Sequence, residues 1–228
     1  MKTVGLIGGV TPQSTIMYYQ VLNKLANETY GGKHTAKVLI HSLDFGVVSK
    51  HQSEGRWDLL DEMVVDAALS LEKAGASSIV ICANTMHLTV DAVKKNVDIP
   101  IIHIADATSE AILDKKLTKV ALLGTKYTME KPFYTAILNG YGIEVLIPEA
   151  KDREIIHGVI YTELAKGELK KESKNEYLRI IKKLEMQGAE GIVLGCTEIP
   201  LLIQQEDVSI PVFDTTTIHA SKAFSLSK

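Results

Sequence analysis

Thr3-Val4-Gly5-Leu6-Ile7-Gly8 returns 116 residues later as Lys119-Val120-Ala121-Leu122-Leu123-Gly124, and the match runs ungapped through Tyr18 and Tyr134 to Leu22-Asn23 and Leu138-Asn139. Further on, Glu72-Lys73-Ala74-Gly75-Ala76 leading into Ile79-Val80-Ile81 answers Glu185-Met186-Gln187-Gly188-Ala189 leading into Ile192-Val193-Leu194, at an offset of 113. Ile99-Pro100 answers Ile210-Pro211 at an offset of 111. Three matches in one order at nearly one spacing describe a duplicated unit.

Each copy opens on a short apolar run closed by glycine, the form of a strand buried on both faces in a parallel sheet. Similar runs predict strands near 3–8, 37–43, 78–82, 100–103, 119–124, 143–147, 191–195 and 211–213. Helical periodicity fills most of the rest. The face made by Leu59, Leu60, Met63, Val64, Ala67, Ala68 and Leu71 predicts a helix over about 54–74, and a second is expected over 173–187. Alternation of this kind predicts an α/β fold of two pseudo-symmetric, Rossmann-like parallel-sheet halves. The repeat limits assign residues 1–98 plus 212–228 to the first domain and 99–211 to the second, with the last helix returning to the first half. Ligands of open parallel sheets bind beyond the strand C-termini, so the active site is expected in a cleft between the halves.

Composition narrows the function. A net charge of −3 with no basic stripe argues against nucleic acid. No segment approaches the ~18 apolar residues of a membrane span, and the first apolar run is too quickly broken for a signal peptide. A cytoplasmic location and small-molecule partners are therefore expected. Cys82 and Cys196 are the two cysteines, and neither belongs to a CxxC or a Cys/His cluster, so neither a metal nor a disulfide framework is expected.

Four loops at predicted strand ends carry polar residues. Gly8-Gly9 precedes a helix and could offer backbone N–H groups to an anion. It is neither GxGxxG nor a P-loop, so a carboxylate is a better ligand than a nucleotide. Asn84, Thr85, Thr125, Thr128 and Thr197 are neutral donors near helix starts, suited to such a carboxylate. Cys196 follows a buried-strand pattern and Gly195 and precedes Thr197-Glu198, read as a helix start. A thiol at that end of a helix dipole is expected to have a lowered pKa. An inert core cysteine is the competing reading. Glu198 could steer the thiol or meet a substrate ammonium, or serve only as a first-turn carboxylate. His87 could orient its loop, carry a proton or simply pack.

Gly5-Leu6-Ile7-Gly8-Gly9, Asn84-Thr85-Met86-His87, His103-Ile104-Ala105-Asp106-Ala107-Thr108, Gly124-Thr125 with Tyr127-Thr128-Met129-Glu130, and Gly195-Cys196-Thr197-Glu198-Ile199 together resemble the pyridoxal-phosphate-independent aspartate/glutamate racemase family. Within it the chain is most similar to the enteric broad-specificity L-aspartate/glutamate type. The resemblance covers nearly the whole chain. It implies racemisation of aspartate or glutamate by α-proton exchange, with no cofactor and in a homodimer. It also implies one proton-transfer residue on each side of the α-carbon, Cys196 being one. The other would stand immediately before Asn-Thr, at Ala83, where the enteric type has threonine. The repeat agrees, since the 113-residue offset carries 83 onto 196. Cys82 is one residue early, and on a strand that turns its side chain to the opposite face.

Ala83 has no proton to exchange, so the chain is expected to be an impaired or one-sided racemase, or an active-site variant. Gln52 and Lys166 are the candidate basic or polar substrate anchors that the resemblance suggests. Two other functions compete: a single-cysteine decarboxylase of the same superfamily, and a non-catalytic amino-acid-binding protein.

Overall fold

The computed structural model describes every residue, Met1–Lys228. In chain order the first part contains β1 (Val4–Gly8), α1 (Pro12–Tyr30), β2 (Val38–Ser42), α2 (Phe45–Ser53), α3 (Trp57–Lys73), β3 (Ser78–Ile81), α4 (Val90–Lys94) and β4 (Ile101–Ile102). Helix α5 (Ile104–Asp114) follows. The second part contains β5 (Lys119–Gly124), α6 (Lys126–Glu130), α7 (Pro132–Gly140), β6 (Glu144–Leu146), α8 (Ala150–Thr162), α9 (Lys171–Met186), β7 (Ile192–Gly195), α10 (Ile199–Leu202) and β8 (Val212–Asp214). The closing helix is α11 (Thr215–Ser227).

Two four-stranded parallel sheets result, ordered β2-β1-β3-β4 and β6-β5-β7-β8. Their orders are the same when the repeats are superposed, so the duplicated sequence yields a duplicated sheet. The chain divides into two compact units: Met1–Ile104 with Thr216–Lys228, and Ala105–Thr215.

β1 is buried along its whole length, and so are five of the six residues of β5, as expected of central strands covered on both faces. In the first unit one face of the sheet packs Ile7, Ile79 and Ile81 against Leu60, Val64 and Ala68 of α3. The other packs Val4, Leu6 and Val80 against Tyr18 and Leu22 of α1 and Ala220, Ala223 and Phe224 of α11. The second unit buries Leu123, Ile192 and Leu194 against Ile156 and Ile160 of α8 and Tyr177, Ile180 and Leu184 of α9.

The loops are set by local chemistry. Thr11 caps α1, its hydroxyl accepting from Ser14 N–H, with Pro12 at the first helical position where a missing N–H costs nothing. Gly75 and Gly188, equivalent in the repeat, follow α3 and α9 at φ +94° and +95°. Both repeats leave a helix by the same left-handed turn, which glycine adopts without steric cost. The helix expected from residue 54 begins instead at Trp57. Gln52 and Ser53 close the separate helix α2, and Gly55, at φ +68°, breaks the chain direction between the two. The apolar periodicity of 59–71 could not show that break, because α2 has its own helical pattern.

Candidate active site

Cys196 stands in the turn after β7, followed by Thr197 and Glu198 before α10 begins. Glycine is needed just upstream, where a Cβ on Gly195 would meet the Leu123 carbonyl oxygen and the Thr128 Cγ2 at 3.0 Å, and on the neighbouring strand, where one on Gly124 would meet the Gly195 carbonyl oxygen at 2.9 Å. The paired strands β5 and β7 thus bring Gly124 beside Gly195, and their loops start side by side.

The Cys196 Sγ–H donates to Glu198 Oε2 at 2.9 Å, and the Thr197 hydroxyl donates to the same oxygen at 2.7 Å. Burial above all, then the Glu198 charge and its hydrogen bond, hold the Cys196 thiol well above the ordinary range. The backbone N–H groups of Thr197 and Glu198 pull the other way but do not prevail. This corrects the expectation of a lowered pKa. The helix after the thiol is a single turn starting at Ile199, so its dipole is small, and the nearest charge is an anion. Near neutral pH the proton rests on sulfur, hydrogen-bonded to Glu198.

On the neighbouring strand Thr125 caps α6. Its hydroxyl accepts from Thr128 N–H at 3.3 Å and lies 3.3 Å from the Thr128 hydroxyl. Lys126 N–H donates to His157 Nδ1 at 3.2 Å, and the His157 ring centroid is 4.7 Å from that of Tyr161. Burial, and then the charges of Cys196, Tyr127 and Glu198, push the Tyr161 hydroxyl up to about 12. Sequence reading missed His157 and Tyr161. Their i, i+4 spacing on α8 was the available signal.

In the first unit the loop after β3 contains the other candidates. Cys82 is 1% exposed among Val4, Leu6 and Tyr18, and burial raises its thiol pKa. Ala83 instead packs with Ile7, Val48 and Met86 on the opposite side of the sheet. The one-residue slip therefore separates them by face. Asn84 and Thr85 are buried, Thr85 opening a 3-10 turn to Thr89. Gln52, on α2, is 6% exposed and directs its Nε2 at Met86 Sδ, 3.4 Å away, so it belongs to the surroundings of this loop. Lys166 lies on the 3-10 turn Leu164–Lys166, which packs on α10, and its side chain is exposed without an ion pair.

His87 anchors the loop. Its Nδ1–H donates to the Ala83 carbonyl at 2.9 Å, while Nε2 accepts from Ile104 N–H at 3.2 Å. His103 and His219 lie against it, with ring centroids at 4.7 and 5.4 Å. Burial keeps all three imidazoles neutral, His103 at about 4 and His219 at about 3. His219 bridges the Tyr18 hydroxyl at Nδ1 and the Ile102 carbonyl at Nε2, both at 2.7 Å. With the ring nitrogens of His87 and His219 engaged, the trio does not form a metal-ligand set. The Gly9 amide is likewise engaged, donating to Thr15 Oγ1 at 2.8 Å, and so is not open to an anion as expected from the glycine pair.

The chain is thus a duplicated parallel α/β fold with a thiol–carboxylate pair at the end of one strand. Residues 7–223 match the Asp/Glu/Hydantoin racemase family, and the chain belongs to it. It is 20% identical over 225 residues to the broad-specificity amino-acid racemase RacX of Bacillus subtilis strain 168, spanning 97% of this chain and 96% of that one. Among solved structures, a candidate Asp/Glu racemase of Yersinia pestis is 46% identical, with TM-score 0.94 over 100% of this chain and 99% of that one. PH1733 of Pyrococcus horikoshii OT3, an aspartate racemase homologue, is 40% identical, with TM-score 0.87 and the same coverage.

Proposed function

We propose that the chain exchanges the α-proton of acidic amino acids without a cofactor, using Cys196 as the proton-transfer group and acting as a one-sided racemase. The observation that carries the reading is the 2.9 Å hydrogen bond from the Cys196 thiol to Glu198, at the strand-end position the repeat pairs with Ala83. The thiol proton passes to Glu198. The thiolate then takes the substrate α-hydrogen, leaving the electron pair on the α-carbon and its carboxylate. Return of a proton from the same thiol restores the original isomer, and the thiolate then takes its proton back from Glu198. Return from water on the other face inverts the substrate, and the hydroxide left is neutralised by the proton on Glu198. Asn84, Thr85, Thr125, Thr128, Thr197 and Gln52 would supply neutral polar contacts and Lys166 a cation for the substrate, in a cytoplasmic homodimer.

Because Ala83 offers no proton, exchange should outrun inversion. In D₂O the α-hydrogen of L-aspartate or L-glutamate should be replaced by deuterium faster than the D-isomer accumulates. Restoring a second group with Ala83→Cys or Ala83→Thr should raise D-isomer formation by about 10²-fold or more. Cys196→Ala should abolish both. Absence of exchange and of D-isomer in the original chain and in both Ala83 variants would remove the reading.

A second reading draws on Cys196 being the thiol at a strand end while Cys82 lies in the core. A decarboxylase with Cys196 as its single acid would release carbon dioxide from a substituted malonate. A binding protein would hold amino acids after Cys196→Ala and exchange nothing.

A further inference from the structure

Helix α8 presents two polar groups that nothing in the protein engages. His157 accepts the Lys126 N–H through Nδ1, so in the neutral ring the hydrogen is on Nε2, and that N–H has no protein acceptor. Burial lowers the His157 pKa, with Lys126 adding to the effect, which keeps the ring neutral. The Tyr161 hydroxyl makes no hydrogen bond within the protein either. Both side chains are half-buried, and neither polar atom is cut off from solvent, so each is open to a water or to a ligand oxygen.

Their place is defined by three independent contacts inside the second unit. His157 is tied to the first residue after Thr125, in the loop that starts beside Gly195. Tyr161 and Cys196 pack on the same apolar cluster. The 3-10 turn that follows Tyr161 packs on α10, the helix directly after Cys196-Thr197-Glu198. Two neutral donors one helical turn apart thus border the thiol–carboxylate pair.

We propose that His157 Nε2–H and Tyr161 O–H form the subsite for the substrate side chain and donate hydrogen bonds to a carbonyl or carboxyl oxygen there. The inference rests on the racemase reading for the identity of the ligand as an amino acid. Its chemistry extends that reading. Neutral donors gain less from a charged acceptor than a guanidinium or ammonium would, so a carboxamide fits almost as well as a carboxylate. L-asparagine should then bind alongside L-aspartate, and L-alanine, which offers no acceptor, should bind weakly.

Calorimetric titration of the full chain with L-aspartate, L-asparagine and L-alanine tests this without requiring turnover. The original chain should bind the first two within a few-fold of each other. Tyr161→Phe removes only a hydroxyl that has no protein partner, so the fold should persist, as circular dichroism would show. It should weaken both acceptor-bearing ligands about tenfold and leave L-alanine unchanged. His157→Asn should act in the same direction. Equal weakening of all three ligands, no weakening of any, or no binding to the original chain would overturn the subsite. Binding with this pattern but no deuterium exchange would overturn the racemase reading and leave the subsite standing.

Discussion

Removing the carboxylate beside Cys196 should separate acidity from catalysis. Glu198 raises the thiol pKa through its charge and its hydrogen bond, so Glu198→Gln should shift the pH midpoint of Cys196 alkylation downward. If Glu198 also receives the thiol proton during turnover, the same variant should slow α-hydrogen exchange by about 10²-fold or more despite its more acidic thiol. Alkylation and deuterium exchange measured on one preparation would check both. Cys82→Ala should behave differently, costing about 1–2 kcal/mol in urea denaturation through a small cavity among Val4, Leu6 and Tyr18, with exchange unaltered. The different placement of the two cysteines was legible in the sequence, since strand alternation and the repeat offset both separate 82 from 83. The electrostatics of Cys196 were not. A Thr-Glu pair after a thiol reads equally as a helix start or as a turn that folds its carboxylate back onto the sulfur, and the fold adopts the second.

At the level of elements, the repeat reappears in two buried tyrosines. Tyr18 of α1 bonds to His219 of α11, and its counterpart Tyr134 of α7 bonds to Thr108 of α5 at 2.9 Å. Tyr18→Phe should therefore leave a buried imidazole nitrogen short of a donor and cost about 1–3 kcal/mol of stability by urea titration. The histidine trio also sets an acid limit. Its members stay neutral when folded, His219 to about 3 and His103 to about 4, whereas unfolded histidines protonate near 6.5. Their folded values are depressed, so the unfolded chain binds more protons below about pH 6.5 and stability falls as pH drops towards the folded values. The loss is about 1.4 kcal/mol per pH unit for each histidine in that window. Urea midpoints measured from pH 7 to pH 5 should show the decline, and His219→Gln should flatten it. All eight strands could be placed from their apolar runs, with glycine stops closing β1, β5 and β7. The clustering of His87, His103 and His219 could not, because they come from three separate segments that no local period links.

For the whole molecule, the two sheets share one strand order, and each is completed by a helix that follows the other unit's last strand. Helix α5 follows β4 of the first sheet and, from Ala105, belongs to the second unit; α11 follows β8 of the second sheet and, from Thr216, belongs to the first. The identical Ile-Pro signatures before β4 and β8 made this equivalence readable, and with it came the expectation that the last helix returns to the first half. Ending the chain at Asp214 should strip Ala220, Ala223 and Phe224 from the first core. It should increase binding of a hydrophobic dye and lower the cooperativity of thermal unfolding.

The returning helix α11 also bears on birth at the ribosome. A chain made from its N-terminus normally folds its first domain first. Here the first core stays open until α11 has emerged, after all of residues 105–215. At ordinary translation speeds that wait lasts roughly 5–25 s. In stalled nascent chains the second unit should acquire protease resistance before the first, reversing the order in which the two were translated.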